Sequence, residues 1–355
     1  MAKVSQYNKE LKEKQNKKID QLLKLLPVYI APFVHDKELS VQPNTVIAYE
    51  RDLLTFLEFL CSQNPMLKGK KPKEVPEAII EKLTFEDINE YQRYLNYYDG
   101  KDTEKSHSNE ERAICRKMAA LRGFFKYGCT HGILKNDPTI GAAKRKKTQK
   151  KEIVRMNSKE AATLISYAEN SIAPTKRGKI FAEKAKLRDT AILTLLLNTG
   201  IRVSECVGID LDDINFEKGS VRIVRKGGNE SVVYMNEQTS AALREYMDLE
   251  RNQYLQSDKE QALFLSSQKK RLSVRSIEYI VKKYARQAVP DKHITPHKCR
   301  STYGTLLYQA TSDIKLVADT LGHTDVNVSS SYYINSSEEH RRLAAKVKVY
   351  DPDGK

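Results

Sequence analysis

Several features that would assign this chain to a familiar class of protein are missing from its 355 residues. No stretch approaches the roughly 18–20 consecutive apolar residues that a membrane-spanning helix requires. The N-terminal region is rich in lysine and does not lead into the apolar segment of a secretory signal. We therefore expect a soluble protein of the cytoplasm.

The cysteines and glycines form no recognisable cofactor motif. Five cysteines are widely spaced and never occur as a C-x-x-C pair, so neither a disulfide framework nor a zinc site is indicated. The phosphate-binding loop G-x-x-x-x-G-K-S/T is also missing, so nothing supports the use of ATP. The sequence therefore predicts neither a cofactor nor a metal ion.

Positive charge, in contrast, is abundant. The chain has 61 Lys and Arg residues against 46 Asp and Glu residues, and its formal net charge is +15. We expect a polyanionic partner, because basic side chains neutralise phosphates and release their condensed counterions. Nucleic acid is favoured over an anionic membrane surface.

The first half of the chain has the periodicity of amphipathic helices. One helix, capped at Asn44 or Thr45, has a stripe formed by Ile47, Glu50, Leu53, Leu54, Leu57 and Leu60. Another begins near Phe85. A third, over about 110–127, has an apolar face formed by Ile114, Met118, Leu121, Phe124 and Phe125. Its other faces carry Arg112, Arg116, Lys117, Arg122 and Lys126, which fits either a DNA groove or ordinary solvent.

The second half combines helices with one β-hairpin. An apolar run over 187–198 predicts a core helix that ends at Gly200. Residues 220–225 and 230–235 alternate apolar and polar side chains around a Lys-Gly-Gly-Asn turn, which is typical of a hairpin. Helical patterns return beyond Val274. The predicted fold is therefore mainly α with a small antiparallel β-sheet.

Six residues of this second half suggest a phosphate-binding site: Arg202, Lys226, His297, Arg300, His323 and Tyr332. Arginine suits the charge that builds on a phosphodiester in its transition state, because its planar fork donates two hydrogen bonds and stays ionised. His297 and Arg300 are three residues apart, so one helical turn directs both the same way. A lysine in a mobile turn can protonate a leaving oxygen, and a phenol opposite it is a usable nucleophile.

The motifs around these residues resemble those of the tyrosine recombinase, or phage integrase, family. Residues 199–205 match the family motif T-G-hydrophobic-R-hydrophobic-S-E throughout. The family's G-K-G turn is represented by Lys226 and the glycine after it, but Arg225 stands in place of the first glycine. The final box, L-G-H at 321–323, is followed nine residues later by Tyr332.

The remaining family box contains two departures. Residues 297–305 match the pattern H-x-L-R-H-(S/T)-hydrophobic-(A/G)-T, with Cys299 in place of the leucine and Ser301 in place of the second histidine. Tyr333 adjoins Tyr332 and is the alternative nucleophile, because some members of the family have one extra residue before theirs.

The resemblance implies a role for each residue. Arg202, Arg300 and His297 would bind the scissile phosphate, Lys226 would act as general acid, His323 would support the transition state and Glu205 would brace its neighbours. Attack by Tyr332 would leave a 3′-phosphotyrosyl bond and a free 5′ hydroxyl, so that neither ATP nor metal is needed.

The resemblance also implies a two-domain clamp around DNA. The expected parts are a basic N-terminal segment (1–20), a helical, SAM-like core-binding domain (21–143), a basic linker (144–156), a catalytic domain (157–335) and a C-terminal tail (336–355). The tail would pack either on its own domain or on a neighbouring protomer. The expected partners are double-stranded recombination sites, bound by a homo-tetramer with one dimer per site, and an accessory DNA-bending or directionality factor. Such an enzyme would associate with the nucleoid.

Four functions compete for this sequence. A site-specific recombinase that integrates or excises a mobile element through a Holliday junction is favoured, because the chain is longer than a compact Xer-type chromosome dimer resolvase. A type IB topoisomerase would share the arginines and the tyrosine, but the T-G-I-R-V-S-E and L-G-H boxes favour a recombinase. A silent DNA-binding regulator is disfavoured because all six positions carry competent residues.

Overall fold

The computed structural model of the chain describes residues 6–96, 98–99, 106–107, 111–144, 154–225, 227–251 and 260–322. Two compact units divide the chain into Met1–Lys151 and Glu152–Lys355. The boundary between these units falls within the range 144–156, for which the sequence predicts a linker. None of the described helices is both long and apolar enough to cross a membrane.

The N-terminal unit is helical. Its elements are α1 (Gln6–Leu23), α2 (Ala31–Ser40), α3 (Pro43–Gln63), α4 (Glu77–Glu81), α5 (Phe85–Tyr94), β1 (Tyr98–Asp99), β2 (Ser106–His107) and α6 (Glu111–Thr130). The two short strands pair antiparallel, and α3 packs against both α1 and α6. Thr84 caps α5 with a hydrogen bond from the backbone N–H of Asp87, so the predicted start near Phe85 is confirmed.

Helix α3 starts one residue before the predicted cap. Gln42 precedes it and Pro43 is its first residue, a position at which proline loses no hydrogen bond because that N–H has no partner within the helix. The predicted stripe faces the core, where Leu53 and Leu57 are each 1% exposed. Glu50 belongs to this stripe and is fully buried with the apolar residues.

The apolar face predicted for α6 is confirmed, since all five of its residues are buried. Its basic side chains are not all on the solvent face, and this part of the prediction was wrong. Lys117 has a side chain only 10% exposed and pairs at 3.5 Å with Asp52, to which Arg116 also donates. A buried carboxylate retains its charge more easily beside cations, so Lys117, and Arg116 from the surface, offset the charge of the buried Asp52.

The predicted segment 1–20 is not separate from the unit that follows it. Helix α1 continues through Leu23, and Ile19 and Leu22 are buried in the same core as α3. The apolar spacing that docks the helix crosses residue 20, so a boundary placed there by charge composition lies inside the helix.

The C-terminal unit contains eight helices of the α class among its described residues. They are α7 (Ser158–Glu169), α8 (Lys176–Lys184), α9 (Lys186–Thr199), α10 (Val203–Val207), α11 (Glu237–Glu245), α12 (Val274–Ala288), α13 (Pro296–Thr311) and α14 (Ile314–Leu321). A π-helix follows α11 over Tyr246–Arg251. Three antiparallel strands, β3 (Ile214–Asn215), β4 (Ser220–Val224) and β5 (Glu230–Tyr234), form a sheet in that order. The predicted fold class is confirmed.

Helix α9 lies at the centre of this unit. It packs against α7, α11 and α13, and its residues from Thr190 to Leu197 are all buried. An apolar surface all round a helix requires neighbours on every side, as the run over 187–198 predicts. Gly200 ends α9 with φ +62, a left-handed conformation that glycine adopts without strain.

Candidate functional site

The site begins where α9 ends. Arg202 lies two residues after Gly200 and immediately precedes α10. The Glu205 carboxylate accepts the Arg202 backbone N–H at 2.7 Å and its guanidinium Nη1 at 2.8 Å. Glu205 is nearly completely buried, whereas the Arg202 side chain remains 34% exposed. A buried carboxylate therefore holds one nitrogen of the Arg202 guanidinium, while part of that side chain is exposed to solvent.

Helix α13 supplies the second arginine. Thr295 caps this helix, and Pro296 is its first residue, so His297 and Arg300 lie within its first two turns. Arg300 is only 4% exposed. Its Nη1 donates to the Gly200 carbonyl at 2.6 Å, and its Nη2 donates to the Leu321 carbonyl at the end of α14. These contacts join the ends of two helices that are far apart in sequence.

The three described candidates act on one another electrostatically. His297 keeps much of its surface open to solvent. Partial burial, followed by the positive charges of Arg300 and then Arg202, lowers the pKa of the His297 imidazole. Both arginines therefore act on the charge of the same histidine. The imidazole is consequently neutral at neutral pH, with one N–H to donate and one nitrogen that can accept a proton.

Both departures from the family box on α13 are filled by structural side chains. Cys299 is fully buried, and burial raises the pKa of its thiol to about 12, so the thiol is a small apolar group in the place of leucine. The Ser301 hydroxyl donates at 3.1 Å to the His297 carbonyl one turn earlier. Ser301 therefore bonds to its own helix instead of supplying a second imidazole.

Arg225 is a further charged residue of the site that the sequence did not predict. It follows β4 directly, and its guanidinium donates to the carbonyls of Leu321 at 2.7 Å and Thr320 at 3.0 Å. Burial lowers its pKa, the Glu205 carboxylate opposes this change and the positive charge of Arg202 adds to it. No motif could have identified Arg225, because its partners are backbone carbonyls 95 and 96 residues away.

Three of the six predicted residues lie outside the described ranges. Lys226, His323 and Tyr332 are among them, as are the alternative nucleophile Tyr333 and the predicted tail 336–355. Arg225 and Gly227, which flank Lys226, and Gly322, which precedes His323, are described.

A buried ionic network holds the other end of α9, and the sequence did not predict it either. Glu250 accepts the backbone N–H groups of Leu187 at 3.0 Å and Arg188 at 3.1 Å. Asp189, 1% exposed, accepts hydrogen bonds from Arg188, from Lys283 at 3.3 Å and from the Tyr284 hydroxyl at 3.1 Å. Both ends of α9 are thus fixed by charged side chains from distant parts of the unit.

The arrangement suits a tetrahedral or pentacoordinate phosphate. Two guanidiniums and a neutral imidazole provide several N–H donors that stabilise charge on nonbridging oxygens. Because contacts within the protein hold Arg202 and Arg300, little reorganisation is needed when charge develops.

Comparisons with known proteins agree with this chemistry. Residues 154–340 match the model of the phage integrase family. The chain is 31% identical over 299 residues to the tyrosine recombinase XerC of Caldanaerobacter subterraneus subsp. tengcongensis, across 82% of this chain and 77% of that protein. It is 29% identical over 353 residues to the tyrosine recombinase XerS of Streptococcus agalactiae serotype III, across 93% of this chain and 98% of that relative.

Solved structures share the fold. The XerH recombinase in a post-cleavage complex with a palindromic difH substrate superposes with a TM-score of 0.61 and 19% identity, across 90% of this chain and 95% of that one. The Tn1549 transposon integrase in complex with a circular intermediate DNA gives a TM-score of 0.60 and 16% identity, across 92% and 98%. The chain therefore belongs to the phage integrase family and is a tyrosine recombinase, an enzyme that cuts and rejoins DNA strands by transesterification.

Proposed function

We propose that this protein cuts a specific DNA site through a 3′-phosphotyrosyl intermediate and exchanges strands between two duplexes through a Holliday junction. The observation that carries the proposal is the grouping of Arg202, Arg300 and His297 at the joined ends of α9, α13 and α14. In this role the two guanidiniums and the imidazole bind the nonbridging oxygens of the scissile phosphate.

The remaining groups complete the reaction. The Tyr332 oxygen attacks phosphorus and its phenolic proton passes to solvent, while the bond from phosphorus to the 5′ oxygen breaks and Lys226 gives its proton to that oxygen. His323 supports the transition state. One phosphoester replaces another, so the bond energy is retained, and attack by a 5′ hydroxyl of the partner duplex reverses the step.

Covalent trapping tests this mechanism. On a nicked suicide substrate the cleaved fragment is lost, so wild type accumulates an adduct that survives heat and detergent. We expect Tyr332→Phe to abolish the adduct and Tyr333→Phe to retain it, because Tyr332 is the phenol proposed to attack phosphorus. The opposite pattern would move the nucleophile to Tyr333, and adduct formation by both variants would refute attack by either residue.

We further propose that double-stranded DNA is the partner and that a tetramer, one dimer per site, performs the exchange. The net charge of +15 supports a polyanionic partner. The exposed Arg112, Arg122 and Lys126 on α6 support phosphate contact by the N-terminal unit as the core-binding domain, 21–143. An accessory factor and a role for the tail 336–355 remain part of this proposal.

Between the two kinds of recombinase, we propose the Xer type. The XerS relative aligns along 98% of its own length, so the length of this chain no longer favours a mobile-element integrase. The integrase is the second candidate, because the Tn1549 enzyme shares the fold across 92% of this chain. Two plasmids distinguish them, one bearing two copies of one site from the DNA beside the gene and one bearing two unlike ends of a candidate element. Resolution of the first into two circles supports the Xer type, and joining of the unlike ends of the second supports the integrase. Relaxation of any supercoiled plasmid would instead indicate a topoisomerase.

A further inference from the structure

Arg225 connects the hairpin to the end of the last described helix. Its backbone is held on both sides of the turn: the Arg225 N–H donates to the Asn229 carbonyl at 2.8 Å, and its carbonyl accepts from Gly228 at 3.0 Å. Its guanidinium reaches the carbonyls of Thr320 and Leu321 in the final turn of α14. The end of β4 and the end of α14 are therefore joined by one side chain.

The carbonyl end of α14 is a favourable place for a cation. The last carbonyls of a helix have no partner within the helix and carry its partial negative charge. The fork of Arg225 satisfies two of them, a geometry that a lysine ammonium cannot reproduce. Arg300 donates to the same Leu321 carbonyl, so Arg225 is attached to the group that holds a phosphate-binding arginine.

The close packing of the Arg225 guanidinium against Gly322 supports a specific contact between these two residues. A Cβ placed on this glycine would lie 2.6 Å from Arg225 Nη1 and 2.7 Å from its Cζ. Gly322 has φ +62, a conformation that other residues adopt only with strain. The guanidinium therefore lies directly over the backbone that leads into residue 323.

Arg225 is covalently adjacent to Lys226, and Gly322 is covalently adjacent to His323. In the family a glycine precedes the lysine of this turn. In this chain the same position is Arg225, whose guanidinium donates to the carbonyl of Leu321, the first residue of the L-G-H box. We propose that Arg225 is a positioning residue: it fixes the end of β4, which precedes Lys226, against the end of α14, so that Lys226 can protonate the leaving 5′ oxygen. This inference rests on the role proposed above for Lys226.

Two other roles for Arg225 predict different behaviour. A guanidinium that contacted the phosphate would assist cleavage equally whether the leaving atom is oxygen or sulfur. A purely structural arginine would change stability and leave the chemistry of the folded enzyme unaltered. A positioning residue for the general acid affects only reactions that need a proton on the leaving atom.

A sulfur substitution separates these roles. In a suicide substrate with sulfur in place of the bridging 5′ oxygen, the P–S bond breaks and a thiolate departs without a proton, because a thiol is far more acidic than an alcohol. The enzymes to compare are full-length wild type, Arg225→Ala, Arg225→Lys and Lys226→Ala. Arg222→Ala is the matched control, because Arg222 is an arginine of the same β4 strand whose ion pair, to Asp213 at 2.7 Å, lies outside this network.

We expect Arg225→Ala to slow single-turnover cleavage of the oxygen substrate about a hundredfold, the loss typical of a misplaced catalytic group. With the sulfur substrate, the cleavage rate of Arg225→Ala should be within about threefold of the wild-type rate, a far smaller loss than with the oxygen substrate. Arg225→Lys should lie between the two, and Arg222→Ala should match wild type on both substrates. Thermal unfolding of each variant shows that the measured rates belong to folded protein.

The outcomes separate the inference from the function on which it rests. If sulfur rescues Lys226→Ala but not folded Arg225→Ala, Lys226 is the acid and the positioning role is refuted. If sulfur fails to rescue Lys226→Ala, the proposed role of Lys226 is refuted instead. If Arg225→Ala cleaves both substrates as fast as wild type, the link to α14 has no part in the reaction.

Discussion

Both units bury carboxylates that are paired with donors, Asp52 in the N-terminal unit among them, but the N-terminal unit also buries one carboxyl group without a hydrogen-bond partner among the described residues. In the C-terminal unit Asp189, Glu205 and Glu250 are each less than 9% exposed and each accepts hydrogen bonds from charged or backbone donors. In the N-terminal unit Glu50 is 0% exposed, and neither of its oxygens has a hydrogen-bond partner among the described residues. Buried charge is used where a group must be held in place, whereas an isolated acid is tolerated where it can remain protonated.

The largest effect is expected where a buried charge belongs to the reaction. Arg300→Ala removes the proposed phosphate ligand and leaves the carbonyls of Gly200 and Leu321 without this donor. We expect single-turnover cleavage to fall about a thousandfold. Arg300→Lys, which keeps the charge but not the fork, should recover about a tenth of the lost activity. Cleavage at the wild-type rate by a folded Ala variant would remove Arg300 from the site.

Glu50 provides the complementary test in the N-terminal unit. Burial, assisted by the negative charges of Glu38 and Asp20 and opposed by Lys18, raises the pKa of Glu50 to about 8. The unfolded chain loses this proton near pH 4.5, the ordinary pKa of a glutamate, while the folded unit keeps it up to about pH 8. The stability of the unit therefore falls as pH rises through this window and stays constant above it.

Glu50→Gln removes that dependence. We expect the variant to gain on the order of 3 kcal/mol over wild type between pH 5 and pH 8. Hydrogen-exchange protection of α3 amides, compared between the two proteins at the same pH, measures the difference. An equal difference at both pH values would mean that Glu50 is already ionised in the folded unit.

A smaller effect is expected at Glu205, which acts through Arg202. In Glu205→Gln the amide oxygen can still accept the Arg202 backbone N–H, but the charge that holds the guanidinium is lost. We expect cleavage to slow about tenfold. Glu160→Gln is the matched control, because Glu160 accepts the Asn157 N–H at 2.8 Å in the same capping geometry on α7 and also pairs with a cation, Lys292, at 2.7 Å. Equal slowing by both variants would assign the effect to loss of a capping carboxylate's charge in general and not to the contact with Arg202.

The smallest effect concerns Arg116, at the surface of the N-terminal unit. Its side chain is 50% exposed, and Asp52 keeps Lys117 as a partner when it is removed. Arg116→Ala should therefore cost less than about 1 kcal/mol of unfolding free energy. Denaturant unfolding measures this value, and a loss several times larger would show that both units depend equally on paired buried charge.

The sequence predicted the elements whose information is local. The apolar run of α9, the stop at Gly200 and the β4–β5 hairpin follow from periodicity and turn residues, and the structure confirms them. Helix α10 and the contacts of Arg225, Glu250 and Asp189 did not follow, because they depend on partners many residues away or on backbone carbonyls. Glu50 illustrates the difference: its position in the stripe of α3 was visible, but its protonation depends on charges of α1 and α2.

A single oxygen atom, the carbonyl of Leu321, receives N–H groups from both Arg225 and Arg300. Any displacement of this atom alters both arginines together. If Arg300 binds the scissile phosphate as proposed, phosphate binding and placement of the hairpin are linked equilibria, and each influences the other by the same free energy. The proposed phosphate ligand and the hairpin that carries the proposed general acid would then be coupled through one peptide unit.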